Sequence, residues 1–262
     1  MLLAALINLE LSNQDEMFLI RLFNFGFLML LLGYQQESIA QLVKMENNAP
    51  KVNITSPKNN ALFSLNSLIT YSIEVVDEED GSTEYNEIVS SEVLLLVRYL
   101  PDSLKVKEYL ANSANTNPEP LVLMHNSTCF TCHAAKTKLI GPSYDLVAKR
   151  YPLNPTSVEM LTNRIISGTY GVWGDVKMPA HPDLKIEQVR LIVNWILKNG
   201  ADPDQDYYIG TQGAFRIQDK PGTESRKGVY VASASYVDHG IKGQSGLGKL
   251  GQHSVRLRIS KD

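Results

Sequence analysis

The 262-residue chain predicts a mixed, multidomain fold in which an all-α block is combined with a β-sandwich, either set into it or beside it. Three observations predict it. Apolar and polar residues alternate with period two on both sides of the chain's middle, and between about 115 and 205 the period becomes helical. The most apolar strand candidate, Val93–Leu100, closes the first β region and needs partners that the preceding residues do not supply.

The elements follow in order. Pro50–Pro57 reads as a short alternating strand closed by proline, and Leu68–Val76 alternates in the same way. Asp77-Glu-Glu-Asp-Gly81 is a turn signal, with calcium binding as its alternative reading. Pro101 then ends the strand Val93–Leu100. Breaks at Gly141-Pro142, Pro152, Pro155, Gly168, Gly171, Gly174 and Pro179 divide the helical block into short helices and ordered loops. Within it, Ile186, Val189, Ile192, Val193 and Ile196 recur at helical spacing and predict a core-facing stripe, as do Leu161, Ile165 and Ile166. Beyond residue 206 two strands are expected, Gly228–Tyr236 and His253–Ser260. Two arrangements fit this order: residues 49–110 and 206–262 build one sandwich interrupted by residues 115–205, or 206–262 forms a separate hairpin packed on the helices.

The net charge of −3 gives no basic field for nucleic acid. Phe18–Leu32 is mostly apolar, with Arg21 near its start and small residues Ser38 and Ala40 before Gln41. Residues 1–40 are therefore expected to be a secretory signal whose start is Met17. A buried amphipathic helix and a retained membrane anchor are the alternatives; membrane association is expected if the segment is kept. Export to the periplasm or cell surface follows from the signal reading.

The chemistry concentrates at Cys129-Phe-Thr-Cys132-His133, which holds both cysteines of the chain. The C-x-x-C-H spacing places two thiols on one turn, within reach of the two vinyl groups of a porphyrin, with the adjacent imidazole beneath the iron. The rivals are a zinc site, which needs further Cys or His ligands, and a thioredoxin-like pair, which needs a βαβ setting. Downstream, Met178-Pro179 lies in a glycine-bounded loop, where packing explains a methionine poorly. His181 is the alternative second ligand. Met124 and Met160 fall in amphipathic patterns and read as core; His125, His239 and His253 read as surface or loop residues.

Cys129, Cys132, His133, Gly141-Pro142, Val172-Trp173-Gly174, Met178-Pro179 and Trp195, in this order, resemble the class I cytochromes c of short bacterial type. The resemblance implies haem c as cofactor, with His133 and Met178 as its axial metal ligands. It further implies that the Pro142 carbonyl accepts from the far nitrogen of His133, and that Trp173 lines the haem or simply packs. Val52-Asn-Ile-Thr-Ser-Pro57, Glu78-Glu-Asp-Gly81 and Gly228-Val-Tyr230 through Ala234, Asp238 and Gly240 are similar to bacterial immunoglobulin-like modules. Together the two likenesses resemble the tail of exported quinoprotein glucose/sorbosone dehydrogenase-type proteins, without the dehydrogenase domain. That implies an electron carrier, not an enzyme, with redox proteins as partners, a quinoprotein sugar dehydrogenase among them. A peroxidase-like haem enzyme with a labile sixth ligand, and a carbohydrate or adhesion module carrying a haem domain, are the competing functions.

Overall fold

A computed structural model describes residues 46–112, 116, 118–218, 220, 228–241 and 248–260. The signal expected over 1–40 lies outside the described residues. No described helix is long and apolar enough to cross a membrane.

Among the described residues, five strands come first: β1 (Lys51–Ser56), β2 (Ala61–Phe63), β3 (Leu68–Asp77), β4 (Gly81–Ser82) and β5 (Leu94–Leu100). Five α-helices among the described residues follow: α1 (Val106–Ala111), α2 (Glu119–Asn126), α3 (Tyr144–Arg150), α4 (Pro155–Ser167) and α5 (Ile186–Asn199). Then come β6 (Gln205–Ile209), β7 (Gln212–Arg216), β8 (Val229–Val237) and β9 (Leu250–Ile259). One sheet joins β3 to β1, β4 and β7; the other runs β2-β9-β8-β5-β6. Each sheet therefore mixes strands from before and after the helices. In particular β8 lies antiparallel to β5, with Leu94 opposite Ser235 and Leu100 opposite Val229. It is no isolated hairpin with β9.

Two expectations change here. Among the described residues four strands, not two, follow the helices, because β6 and β7 carry no clean alternation. Tyr207 of β6 faces the helical core and Tyr208 packs against the sandwich core, so both faces are occupied and the period-two signal vanishes. Ile186 is not part of the core stripe: at the first position of α5 it is 48% exposed.

The same two-sided burial explains the apolar run of β5. Leu95, Val97 and Tyr99 face the sandwich interior with Ile73, Val75, Ala232, Tyr236 and Leu257. Leu94 and Leu96 face Leu121 and Met124 of α2, Tyr144, and Ile192 and Ile196 of α5. Covering both faces of a central strand removes the need for polar positions, and it makes sheet and helices share one core. β8 is buried on both sides as well, with Val229 and Val231 against Val106 of α1.

Local chemistry sets the helix ends. Asn154 accepts from the Ser157 N–H at 2.8 Å with Pro155 opening α4, and Gly168, at φ +73°, ends it. Ser143 accepts from the Leu146 N–H at the start of α3. The Gln188 side chain accepts from the Lys185 N–H at the start of α5. Val189, Val193 and Leu197 of α5 pack against α4, leaving its neighbouring face for the site.

Candidate functional site

Cys129, Phe130 and Thr131 form a single 3₁₀ turn after α2. The Cys132 and His133 amides donate to the Cys129 carbonyl at 3.2 and 3.0 Å, so both sulfurs and the imidazole arise from one tight fold of backbone. Both cysteines are free and half-buried. Burial pushes the Cys129 thiol up to about 11, the reverse of what a reactive thiolate pair needs. Among the described residues no βαβ unit surrounds the motif, and no group of three or more His, Cys, Asp or Glu is placed to hold a metal ion as a zinc site would require.

His133 is held from two sides. Its Nδ1 lies 2.7 Å from the Pro142 carbonyl oxygen. A carbonyl can only accept, so Nδ1 carries the proton and the neutral ring keeps its lone pair on Nε2. Burial lowers the tendency of His133 to protonate, against the pull of the Pro142 carbonyl, which preserves that neutral form. Gly141 presses on the ring: a Cβ there would stand 2.4 Å from Cε1. On the other side the Tyr144 ring stacks at 5.4 Å between centroids and 27° between planes.

Cys129, Cys132 and His133 open into an apolar cleft that also takes in Met178, Pro142 and Trp173. Met178 is fixed by a two-way backbone bridge to Thr169, at 3.1 and 2.9 Å, so the loop after α4 is an ordered strap. His181 does not line the cleft; its amide is bonded to the Ile165 carbonyl at 3.0 Å. Trp173 lines the cleft, and its ring lies 4.4 Å beneath the Arg150 guanidinium. Met124 is fully buried in the helical core, while Met160 is half-buried and outside the cleft.

The sequence reading missed five contributors. Ile192, Val193 and Ile196 were expected to be core alone, yet they wall the cleft along with Leu161 and Ile165. Tyr144 gave no signal, since a tyrosine after a helix-capping serine has no motif value. Arg164 also lines the cleft, donating to the Tyr151 hydroxyl at 2.9 Å. A lone cation between Leu161 and Ile165 on an apolar helix face was the available clue.

These residues suit a flat apolar group with a metal at its centre: two thiols at one edge, an imidazole of fixed tautomer, a thioether, and apolar walls between them. A sequence description of the cytochrome c family matches residues 122–200. Cytochrome c-551 of Allochromatium vinosum is 32% identical over 77 residues, covering 29% of this chain and 82% of that protein. Cytochrome c-551 of Pseudomonas aeruginosa is 34% identical over 79 residues, covering 30% and 75% respectively. For cytochrome c-552 of Hydrogenobacter thermophilus the identity is 38% over 69 residues, covering 26% and 69%. These matches leave the β-sheets aside and converge on the segment that builds the cleft: through it the chain belongs to the cytochrome c family, and its cofactor is covalently bound haem c.

Proposed function

We propose that the protein is an extracytoplasmic one-electron carrier. In this reading Cys129 and Cys132 form the thioether links, and His133 Nε2 and the Met178 thioether hold the iron. When bound, haem c supplies an iron(III)/iron(II) couple, and a soft thioether ligand favours the reduced state and a higher potential. The observation that carries the reading is the 2.7 Å contact of His133 Nδ1 with Pro142, which fixes the tautomer a metal ligand needs, in the same cleft as Met178. Pro142 and Gly141 orient the imidazole; the Thr169 bridge holds Met178; the apolar walls exclude water from the centre.

With His133 and Met178 both holding the iron, no open position would remain for a substrate, which would suit transfer between proteins through small, short-lived contacts. We read the donor as a dehydrogenase, a quinoprotein sugar dehydrogenase among the candidates, and the β-sandwich as immunoglobulin-like. The test is carbon monoxide added to the reduced protein at neutral pH. The wild type should bind it slowly or not at all, and Met178→Ala should bind it quickly and lose the weak red-end band of the oxidised form. Rapid binding by the wild type would favour a ligand-open haem enzyme instead.

A further inference from the structure

We infer that the end of the sandwich built by Asn47, Asp77 and Asp238 is a calcium site, unrelated to the haem. Asp77 closes β3 and Asp238 follows β8, and both are nearly fully buried, at 6% and 4% exposure. In each, one carboxylate oxygen is locked. Asp77 Oδ1 accepts from the Glu79 and Asp80 amides at 3.0 and 2.9 Å. Asp238 Oδ1 accepts from the Asn47 side chain at 2.9 Å and from the Gly240 and Lys249 amides at 2.8 and 3.0 Å. The second oxygen of each, Asp77 Oδ2 and Asp238 Oδ2, is buried with no hydrogen-bond partner among the described residues, and so is Asn47 Oδ1. Three held side chains thus each present a bare oxygen, which folded proteins avoid unless something else binds there.

The three belong to one place. Asn48 donates to Glu79 from its amide and to Glu78 from its side chain, tying the segment of Asn47 to the turn after Asp77. The Tyr236 hydroxyl and the His239 amide donate to Asp80 at 2.7 and 2.9 Å, tying the same turn to the segment of Asp238. Gly248 packs so closely that a Cβ there would stand 1.9 Å from the Asp238 carbonyl oxygen. Charge selects the ligand. Asp77, Glu78, Glu79, Asp80 and Asp238 crowd this end, and among the described residues the ion pairs here are those of His239 with Asp80 and Glu92, with no Lys or Arg. Neutral water would satisfy the bare oxygens but leave the repulsion; a cation answers both. Two carboxylates and a carboxamide are hard oxygen donors, suited to calcium and unsuited to zinc, with water completing the shell.

The test is calorimetric titration of the haem-loaded full chain, stripped with chelator, with calcium chloride. One saturable site is expected, with a dissociation constant on the order of 10⁻⁴–10⁻³ M, as in extracellular modules. Calcium at about a hundred times that constant should raise the unfolding midpoint by roughly 5–10 °C over chelator at matched ionic strength. Asp77→Asn and Asp238→Asn keep an oxygen to accept the same N–H bonds but lose the charge, and should weaken calcium at least tenfold. Asn47→Ala, at a half-buried position, should weaken it as well and serves if either aspartate variant fails to fold. Absence of saturable binding, an equal midpoint shift with sodium chloride, or wild-type affinity in the variants that fold would overturn the site.

Discussion

On the proposed ligation, Gly141→Ala should perturb the haem centre without replacing His133 or Met178. The added Cβ would stand 2.4 Å from His133 Cε1, 2.8 Å from Nδ1 and 2.9 Å from Nε2, where ordinary contact begins at 3.4 Å. The obstacle is a ring packed against Tyr144, so the imidazole must retreat by about 1 Å, enough to stretch the 2.7 Å contact with Pro142 out of hydrogen-bond range. Overpacking costs about 1–3 kcal/mol and the lost bond about 0.5–1.5 kcal/mol, together on the order of 2–4 kcal/mol. For a folded unit of this size that is a fall of roughly 5–15 °C in the unfolding midpoint. The reduction potential should rise, because an imidazole without its Pro142 partner donates less to the metal and disfavours the oxidised form. Thermal unfolding followed by circular dichroism and a redox titration of the same sample check both. A midpoint within about 1 °C of wild type with an unchanged potential would refute the claim that Gly141 and Pro142 jointly seat His133.

Leu96→Ala should cost about 2–5 kcal/mol, since Leu96 is 1% exposed and faces the helical core across β5; chemical denaturation measures it, and a cost below about 1 kcal/mol would deny the shared core. Burial pushes the Asp206 carboxyl above the usual aspartate range against the pull of Lys136 and Lys220, and its Oδ1 has no hydrogen-bond partner among the described residues. Its folded value being the raised one, the native state prefers the protonated form, and stability is lost as pH rises from the ordinary range, near about 4, through that raised value. Asp206→Asn should therefore match or exceed the wild-type midpoint at pH 7, the advantage fading below about pH 4; a clear loss at pH 7 would contradict this.

The sequence disclosed the chemistry better than the architecture around it. Cys129, Cys132 and His133 stood out as candidates because haem attachment demands fixed residue types at fixed spacing within five positions, and Met178 because a loop methionine beside proline has little packing use. β5 was legible as a strand, and its apolar excess foretold strands arriving from beyond the helices. β6 was not, because pattern reading assumes one buried face, and Tyr207 and Tyr208 bury theirs in opposite directions; β7 was not either, because Phe215 alone of its five residues is buried. Tyr144 and Arg164 escaped for another reason: their roles come from long-range packing around the cleft and leave no local spacing to read. Ile186 shows the converse error, a residue in phase with the apolar stripe but one turn too early to meet anything.

The most direct test is whether the cofactor stays with the polypeptide. Protein made alongside haem-ligation machinery, then denatured and extracted with acidified acetone, should retain its haem spectrum on the chain. The Cys129→Ala/Cys132→Ala double variant should release it into the solvent. A colourless wild-type protein, or wild-type haem that extracts freely, would contradict the assignment of these two cysteines.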